Sequence, residues 1–500
     1  MSNGHKWNPA HLNRQSERRM SSVLVFVFDG LQPAQVNPRL MPNLSAFAAG
    51  GVTFANHHSV FPTVTRVNVS SMVTGMNPGG HGLAGNRLVI REFDPDQHMG
   101  ALEPVLSLIA KAGVPVLLAP TLGEVLARHG KEYVAIGVGT TGNAYLHNPN
   151  AEDSGGATIH PTFALPRDLH ESLIDRFGPW PDEAAPNTSR LAHATRIMTE
   201  YVLPERMPAA AMIWSYEPDK SHHAEGVGSI LGDTAIKEAD GQLGDLMQWL
   251  RETGRAENTD VFVASDHGYS TISEIAGVEA LVKEAGFPPG GQPGGVIVAQ
   301  NGGAVLFYTA PGDLDTANRL AGWLMAQPWC GTVTASDAVA GIPGTLPASL
   351  VGNEGPRAPE LTVSFRWEST ANEAGYAGMV YSTSGQPGTG QHGSMSRHEI
   401  HNILFTSGPS FKSGLKLNTP SGNLDLTPTI LKVLGISGHE GMHGRVLEEA
   451  LVVGPDAADI EWSTELHHAE HNLGEQVYRQ QIKISTVGTT SYVDQGNRVD

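Results

Sequence analysis

Apolar runs and amphipathic stretches alternate along this chain, and that alternation predicts an α/β fold. Val23-Leu24-Val25-Phe26-Val27-Phe28 is continuously apolar and rich in β-branched residues, the pattern of a strand buried on both faces of a parallel sheet. It runs into Asp29-Gly30. Residues 209–215 and Val261-Phe262-Val263-Ala264 read the same way and run into Glu217-Pro218-Asp219 and Ser265-Asp266-His267-Gly268. Asn402-Ile403-Leu404-Phe405 brings the chain back to the core. Residues 234–252 are amphipathic, with Ile236, Ala239, Leu243, Leu246, Met247 and Leu250 on one helical face. Shorter helices are expected at 42–49, 121–129, 169–177 and 189–201, and a strand at 133–137. Residues 114–118 read as an edge or irregular strand because of Pro115. A helix near 427–434 is expected to have Thr427 at its N-cap, Pro428 at N1 and Gly435 just past its end.

The fold class expected is α/β, a mostly parallel central sheet with helices on both faces and a smaller α/β insertion. Residues 1–20 read as a flexible leader and 21–450 as the main domain. Two insertions interrupt it, at about 149–208 (polar, Pro-rich, a lid over the active face) and 270–385. The second has its own pattern: helices near 278–285 and 314–326, and strands near 296–299, 304–308, 333 and 361–365. Residues 451–500 read as a polar C-terminal extension.

A formal net charge of −19 repels polymeric nucleic acid. An anionic substrate would need local positive charge, which bound metal ions supply. The lone cysteine, Cys330, forms no intrachain disulfide. No run approaches the roughly 20 apolar residues that cross a membrane, and residues 1–22 lack the apolar centre of a signal peptide. A cytoplasmic protein with no membrane partner is the expectation. The sequence does not speak to oligomeric state.

The chemistry gathers at the strand ends. Asp29, Asp219 and Asp266 each follow a predicted buried strand, and ligands of open parallel sheets bind beyond the carboxyl ends of the strands. His267 adjoins Asp266, and His223 follows Asp219 by four residues, within reach of one metal from a helical turn or a bent loop. His392 lies in the Gly-rich loop Gly388-Thr389-Gly390-Gln391-His392-Gly393. Three carboxylates at one edge repel one another, and cations relieve that. Mixed Asp/His ligation without thiolate suits Zn²⁺, and Mn²⁺ or Fe²⁺ less specifically. Thr65 opens a predicted helix through Val73, stopped by Gly75 and Pro78. A helix N-terminus favours a phosphate-like anion, although a Thr there also reads as an ordinary N-cap.

Taken in order, these motifs resemble the alkaline phosphatase superfamily, in its nucleotide pyrophosphatase/phosphodiesterase branch. They are Phe28-Asp29-Gly30, Pro62-Thr63-Val64-Thr65 through Val73-Thr74-Gly75, His81-Gly82 to Asn86, Glu217-Pro218-Asp219 to His223, Ser265-Asp266-His267-Gly268, and Gly390-Gln391-His392-Gly393. The resemblance implies an alkaline phosphatase-like fold and two zinc ions. Asp219, His223 and His392 would hold one, and Asp29, Asp266, His267 and the Thr65 oxygen the other. It implies hydrolysis of phosphate diesters or pyrophosphate bonds in small substrates, through attack by Thr65 and a phospho-threonine intermediate. Asn86 would donate to a phosphoryl oxygen.

Arg66 stands where nucleotide-cleaving relatives usually carry an aromatic residue. It is expected either to read a second anionic group or to be a solvated residue at the helix start. A phosphomonoesterase or a phosphonate (C–P bond) hydrolase is therefore the alternative within the superfamily, and a non-catalytic metal-containing binding protein the alternative outside it. A sulfatase would need Cys or Ser where Thr65 stands.

Overall fold

The computed structural model describes residues 21–474 and 476–499, so the leader at 1–20 lies outside the described residues. Nine strands form the central sheet. In chain order they are β1 (Ser22–Asp29), β2 (Val52–Phe54), β3 (Tyr133–Gly137), β4 (Ala157–His160), β5 (Phe163–Leu165), β6 (Ala210–Pro218), β7 (Thr259–Ser265), β8 (Leu404–Ser407) and β9 (Leu415–Leu417). Their spatial order is β9-β2-β8-β7-β1-β6-β3-β4-β5. Only β8 and β5 run against their neighbours. β1 pairs in parallel with β7 on one side and β6 on the other. The strands that lead to Asp266, Asp29 and Asp219 are thus adjacent and point the same way.

The sheet is apolar on both faces at β1, where every position from Val23 to Phe28 is apolar. Val23, Val25 and Val27 enter one core; Leu24, Phe26 and Phe28 enter the other. On the first face lies α1 (Thr65–Thr74), which buries Val69, Met72 and Val73. After β6 comes α2 (Asp219–Glu225). On the second face lies α3 (Ile230–Glu252), through Ile236, Ala239, Leu243, Leu246 and Leu250. It starts one turn earlier than its apolar face suggests. The Ser229 hydroxyl accepts from the Gly232 N–H at 3.0 Å, so the true cap lies in a polar stretch.

Two local expectations fail. Residues 114–118 form no strand. Pro115 lacks a ladder donor, and the carbonyls of Pro115 and Val116 are taken by the buried Arg357 guanidinium at 2.8 and 3.1 Å. Thr427 is not an N-cap. The helix runs Leu426–Val433 after a 3₁₀ turn at Asn423–Asp425, and the Thr427 hydroxyl donates to the Met72 carbonyl at 2.6 Å. A tertiary bond to α1 outweighs the local capping pattern.

Residues 149–208 do not stand apart as a lid. They supply β4 and β5 at the sheet edge, and their helices Asp168–Phe177 and Thr188–Ile197 bury Leu173, Phe177, Leu191, Ala194 and Ile197 in the second core. Within 270–385, a five-stranded sheet runs Ile297–Asn301, Ala304–Tyr308, Leu361–Phe365, Cys330–Ala335, Leu346–Pro347, with the helix Leu314–Met325 packed on it. A second small sheet joins Trp367–Ala371, Ala377–Ser382, Ser270–Ile275 and Gly390–Gln391. The Ser270–Gln391 pairing returns the chain to the site just before His392.

The C-terminal stretch is an antiparallel sheet of Trp462–Asn472, Val477–Val487 and Thr490–Arg498. Tyr478, Gln480, Ile482 and Ile484 alternate inward. Gln480 exchanges side-chain bonds with the Val333 backbone at 2.8 and 2.9 Å. The third strand reaches the segment before Thr65: Asp494 meets His58 Nε2 at 2.9 Å, and Tyr492 donates to Asp425 at 2.8 Å. Among the described residues no helix is long and apolar enough to cross a membrane.

Asp494→Ala leaves the buried His58 Nε2 without its partner, while Nδ1 keeps the Ser421 carbonyl. It should lower stability by about 2–4 kcal/mol, read as a lower urea midpoint. An unchanged midpoint would show that the C-terminal sheet does not brace this segment.

Candidate metal and active site

The seven residues singled out for metal binding converge at the carboxyl ends of β7, β1 and β6 and form two clusters. Asp29 is the last residue of β1, Asp266 directly follows β7, and Asp219 opens α2. Because Asp219 to His223 is helical, both residues face the same point.

In the first cluster, Asp219 Oδ1 lies 3.3 Å from His223 Nε2 and 3.3 Å from His392 Nε2. The two imidazole nitrogens are themselves 3.3 Å apart. Donor atoms held about 2.0 Å from a tetrahedral zinc lie about 3.3 Å from one another, so this triangle has the dimensions of one face of such a site. In the second cluster, His267 Nε2 lies 3.2 Å from Asp266 Oδ2, 3.6 Å from Asp29 Oδ1 and 3.4 Å from Thr65 Oγ1. The His267 and His392 rings stack with centroids 3.7 Å apart, which joins the clusters.

Hydrogen bonds from outside the clusters mostly reach their outward-facing atoms, although Asp219 Oδ1 accepts from the Tyr269 hydroxyl. His223, His267 and His392 each direct Nδ1 to a backbone carbonyl, of Gly390 (3.1 Å), Gly268 (2.9 Å) and Thr63 (2.7 Å). A carbonyl only accepts, so a proton sits on each Nδ1 and each Nε2 faces the carboxylates, the orientation of metal-bound histidines. Asp29 Oδ2 accepts from Trp214 Nε1 at 2.9 Å, and Asp266 Oδ1 from the Gly30 N–H at 3.0 Å. Their other oxygens, Asp29 Oδ1 and Asp266 Oδ2, are buried without a hydrogen-bond partner. Orphaned buried carboxylate oxygens beside an imidazole nitrogen are costly unless a cation meets them, and the donor set fits divalent zinc.

The electrostatics agree. Burial, then repulsion from Asp266 and Asp219, holds the Asp29 carboxyl well above its ordinary range. Burial pushes Asp266 up to about 8. Burial would also raise Asp219, but His223 and His392 overcome it and hold that carboxyl low.

Thr65 is the first residue of α1, and Val64 occupies the cap position with no side-chain bond. The Thr65 hydroxyl is therefore not consumed in capping, and it sits beside the second cluster. The Asn86 Oδ1 accepts from the Arg66 N–H at 3.1 Å, which leaves the Asn86 amide nitrogen as a donor. A cavity of about 320 Å³ opens here, lined by Val64, Arg66, Asn86, His223 and His392 among others.

The sequence comparison decides the family. A family model described as type I phosphodiesterase / nucleotide pyrophosphatase matches residues 23–389. The chain belongs to that family. Among its relatives in this type I phosphodiesterase family, the bis(5'-adenosyl)-triphosphatase enpp4 of Xenopus laevis is 24% identical over 430 residues, spanning 83% of this chain and 78% of the relative. The human ENPP4 protein is 24% identical over 253 residues, half of this chain and 48% of its own length. Of solved structures, human ectonucleotide pyrophosphatase/phosphodiesterase 5 superposes with a TM-score of 0.61 at 17% identity, covering 86% of this chain and 100% of that one. An inactive variant of the murine protein in complex with AMP gives 0.58 at 18%, covering 83% and 96%. The family's alkaline phosphatase-like fold is shared throughout.

Several residues that hold this phosphodiesterase-family site escaped the sequence reading. The Tyr269 hydroxyl donates to Asp219 Oδ1 at 2.8 Å, and its ring fills the space where a Gly30 Cβ would stand, 2.7 Å away. Gly30 also has a φ of +72°, which favours glycine. Thr63 accepts from His392 through its carbonyl and from the Gly393 N–H through its hydroxyl at 2.9 Å. Tyr269 directly follows Asp-His-Gly, a signal that was available; Thr63 and Trp214 gave none. Lys220 and His222 face elsewhere: Lys220 bonds Glu183, and His222 bonds Gln35 at 3.1 Å. His57 is likewise spent on Ser421 and Asn423.

An unfolded carboxyl titrates near ~4, whereas Asp266 in the metal-free fold titrates at about 8. That raised value favours the metal-free fold below pH ~4, and the contribution is lost as pH climbs through about 8. A metal ion displaces the same proton. The rise in melting temperature on adding Zn²⁺ should therefore be larger at pH 8 than at pH 6; an equal rise at both would contradict this.

Proposed function

We propose that this chain is a zinc-dependent hydrolase of small phosphate diesters or pyrophosphate-linked compounds, with one ion in each cluster and Thr65 as the nucleophile. The observation that carries this reading is the uncapped Thr65 hydroxyl, 3.4 Å from His267 Nε2 at the start of a helix. Family membership and the diadenosine-triphosphatase and AMP-bound relatives support the substrate class.

Two divalent ions, when bound, lower the proton affinity of the Thr65 hydroxyl and neutralise charge on the entering and leaving oxygens. The chain's own residues do the rest. Asp29, Asp266 and His267 fix one side of Thr65, and the first turn of α1 fixes its direction. Thr65 Oγ1 attacks phosphorus in line with the departing oxygen. The free backbone N–H groups of α1 and the Asn86 amide donate to the non-bridging oxygens, where charge accumulates. Water then displaces Thr65 from the phospho-threonine along the path the leaving group vacated, which regenerates the hydroxyl.

Thr65→Ala should reduce hydrolysis of bis-p-nitrophenyl phosphate by about 10³-fold or more while zinc content stays near that of the wild type. Wild-type rates in that variant would exclude Thr65 as nucleophile. His392→Ala removes one vertex of the first cluster, so equilibrium dialysis should find one zinc per chain weakened and the other retained. An unchanged zinc stoichiometry and affinity would count against that ligand set.

A further inference from the structure

The cavity beside the clusters carries two arginines and no acidic residue in its lining, in a molecule of net charge −19. Arg66 and Arg87 both line it, and the lining includes no Phe, Tyr or Trp. Among the described residues neither guanidinium is paired with a carboxylate. The Arg66 Nε is buried and has no hydrogen-bond partner. It is wedged so closely against α-helical Gly142 that a Cβ there would lie 2.9 Å away. A buried guanidinium nitrogen without an acceptor is costly unless a ligand supplies one.

Both arginines are held in place from the backbone. The Arg66 N–H donates to Asn86 Oδ1, and Arg87 is the next residue. The Arg87 N–H donates to Asn301 Oδ1 at 2.9 Å, and the Asn301 amide returns a bond to the Arg87 carbonyl at 3.0 Å. Asn301 ends a strand of the five-stranded sheet, so that lobe fixes Arg87 at the cavity rim. An anion bound in the cavity would meet both guanidinium groups. Paired guanidinium groups match the oxygens of phosphate in a bidentate manner.

We propose that Arg66 and Arg87 form an anion subsite that selects substrates bearing a second phosphate beside the scissile one. Asn301 acts as a positioning residue for Arg87. The subsite takes a charged phosphate arm rather than an aromatic base. This deepens the hydrolase reading above and rests on the reacting phosphorus lying at Thr65.

Binding separates the two. Calorimetry on the zinc-loaded Thr65→Ala chain, which should not turn over, compares AMP with ADP, which differ by one phosphate. ADP should bind about tenfold more tightly than AMP. Adding Arg87→Ala should abolish the difference, and Arg87→Lys should restore part of it. Equal affinities for AMP and ADP, no binding of ADP, or a preference that survives Arg87→Ala would each overturn the subsite. Wild-type protein that prefers ADP but hydrolyses no phosphoester would support the subsite and overturn the hydrolase reading instead.

Discussion

Taking a carboxylate out of water is expensive, and this chain does it three times within one site. Asp29, Asp219 and Asp266 are each at most 5% exposed, and they repel one another across a space too dry to screen them. Hydrogen bonds from Trp214 and Gly30 offset part of the cost but leave one oxygen each of Asp29 and Asp266 beside an imidazole nitrogen, and Tyr269 shares Asp219 Oδ1 with His223 and His392. In the metal-free fold, burial holds the Asp29 and Asp266 carboxyls high, so a retained proton relieves part of the repulsion. The bare donor atoms are spaced for divalent cations. Everything that fixes their positions has to resist their mutual repulsion, and much of the architecture follows from that demand.

The first source of resistance is the sheet. Three adjacent parallel strands, buried on both faces, deliver the three acids to one edge with no freedom to separate. The second is the set of backbone carbonyls that fixes each imidazole. Two of them come from distant chain: Gly390 from the second small sheet and Thr63 from the segment before α1. His392 is therefore placed by a loop more than 300 residues from Thr63 in sequence (|i−j| = 329). The C-terminal sheet holds that same segment from outside through His58 and Asp494. Thr65, the clustered Asp and His side chains and the cavity-lining arginines are thus joined through one continuous frame.

The sequence revealed what is periodic and what is clustered. Uninterrupted apolar runs marked β1, β6 and β7, and an acid after each run marked the site. The Asp219 to His223 spacing resolved as a helical turn once Asp219 opened α2. Less was legible where tertiary contacts override local pattern. Thr427 has the chemistry of a cap, yet it spends its hydroxyl on Met72. Residues 114–118 look like a poor strand and are stripped of ladder bonds by Arg357, which lies 239–243 residues away in sequence. The C-terminal sheet was hidden because its alternation carries Gln480 inward, where it bonds the Val333 backbone. Trp214 gave no signal because its role is to orient another side chain, and Tyr269 was marked only by its place after Asp-His-Gly.

The central claim is that the two donor clusters hold a pair of divalent ions beside Thr65. Crystals grown with zinc, with diffraction measured at the zinc absorption edge, test it most directly. The account predicts two anomalous peaks about 4 Å apart. One should be bounded by Asp219, His223 and His392, the other by Asp29, Asp266, His267 and the Thr65 oxygen. A map with neither peak, or with zinc only at surface histidines, would contradict it.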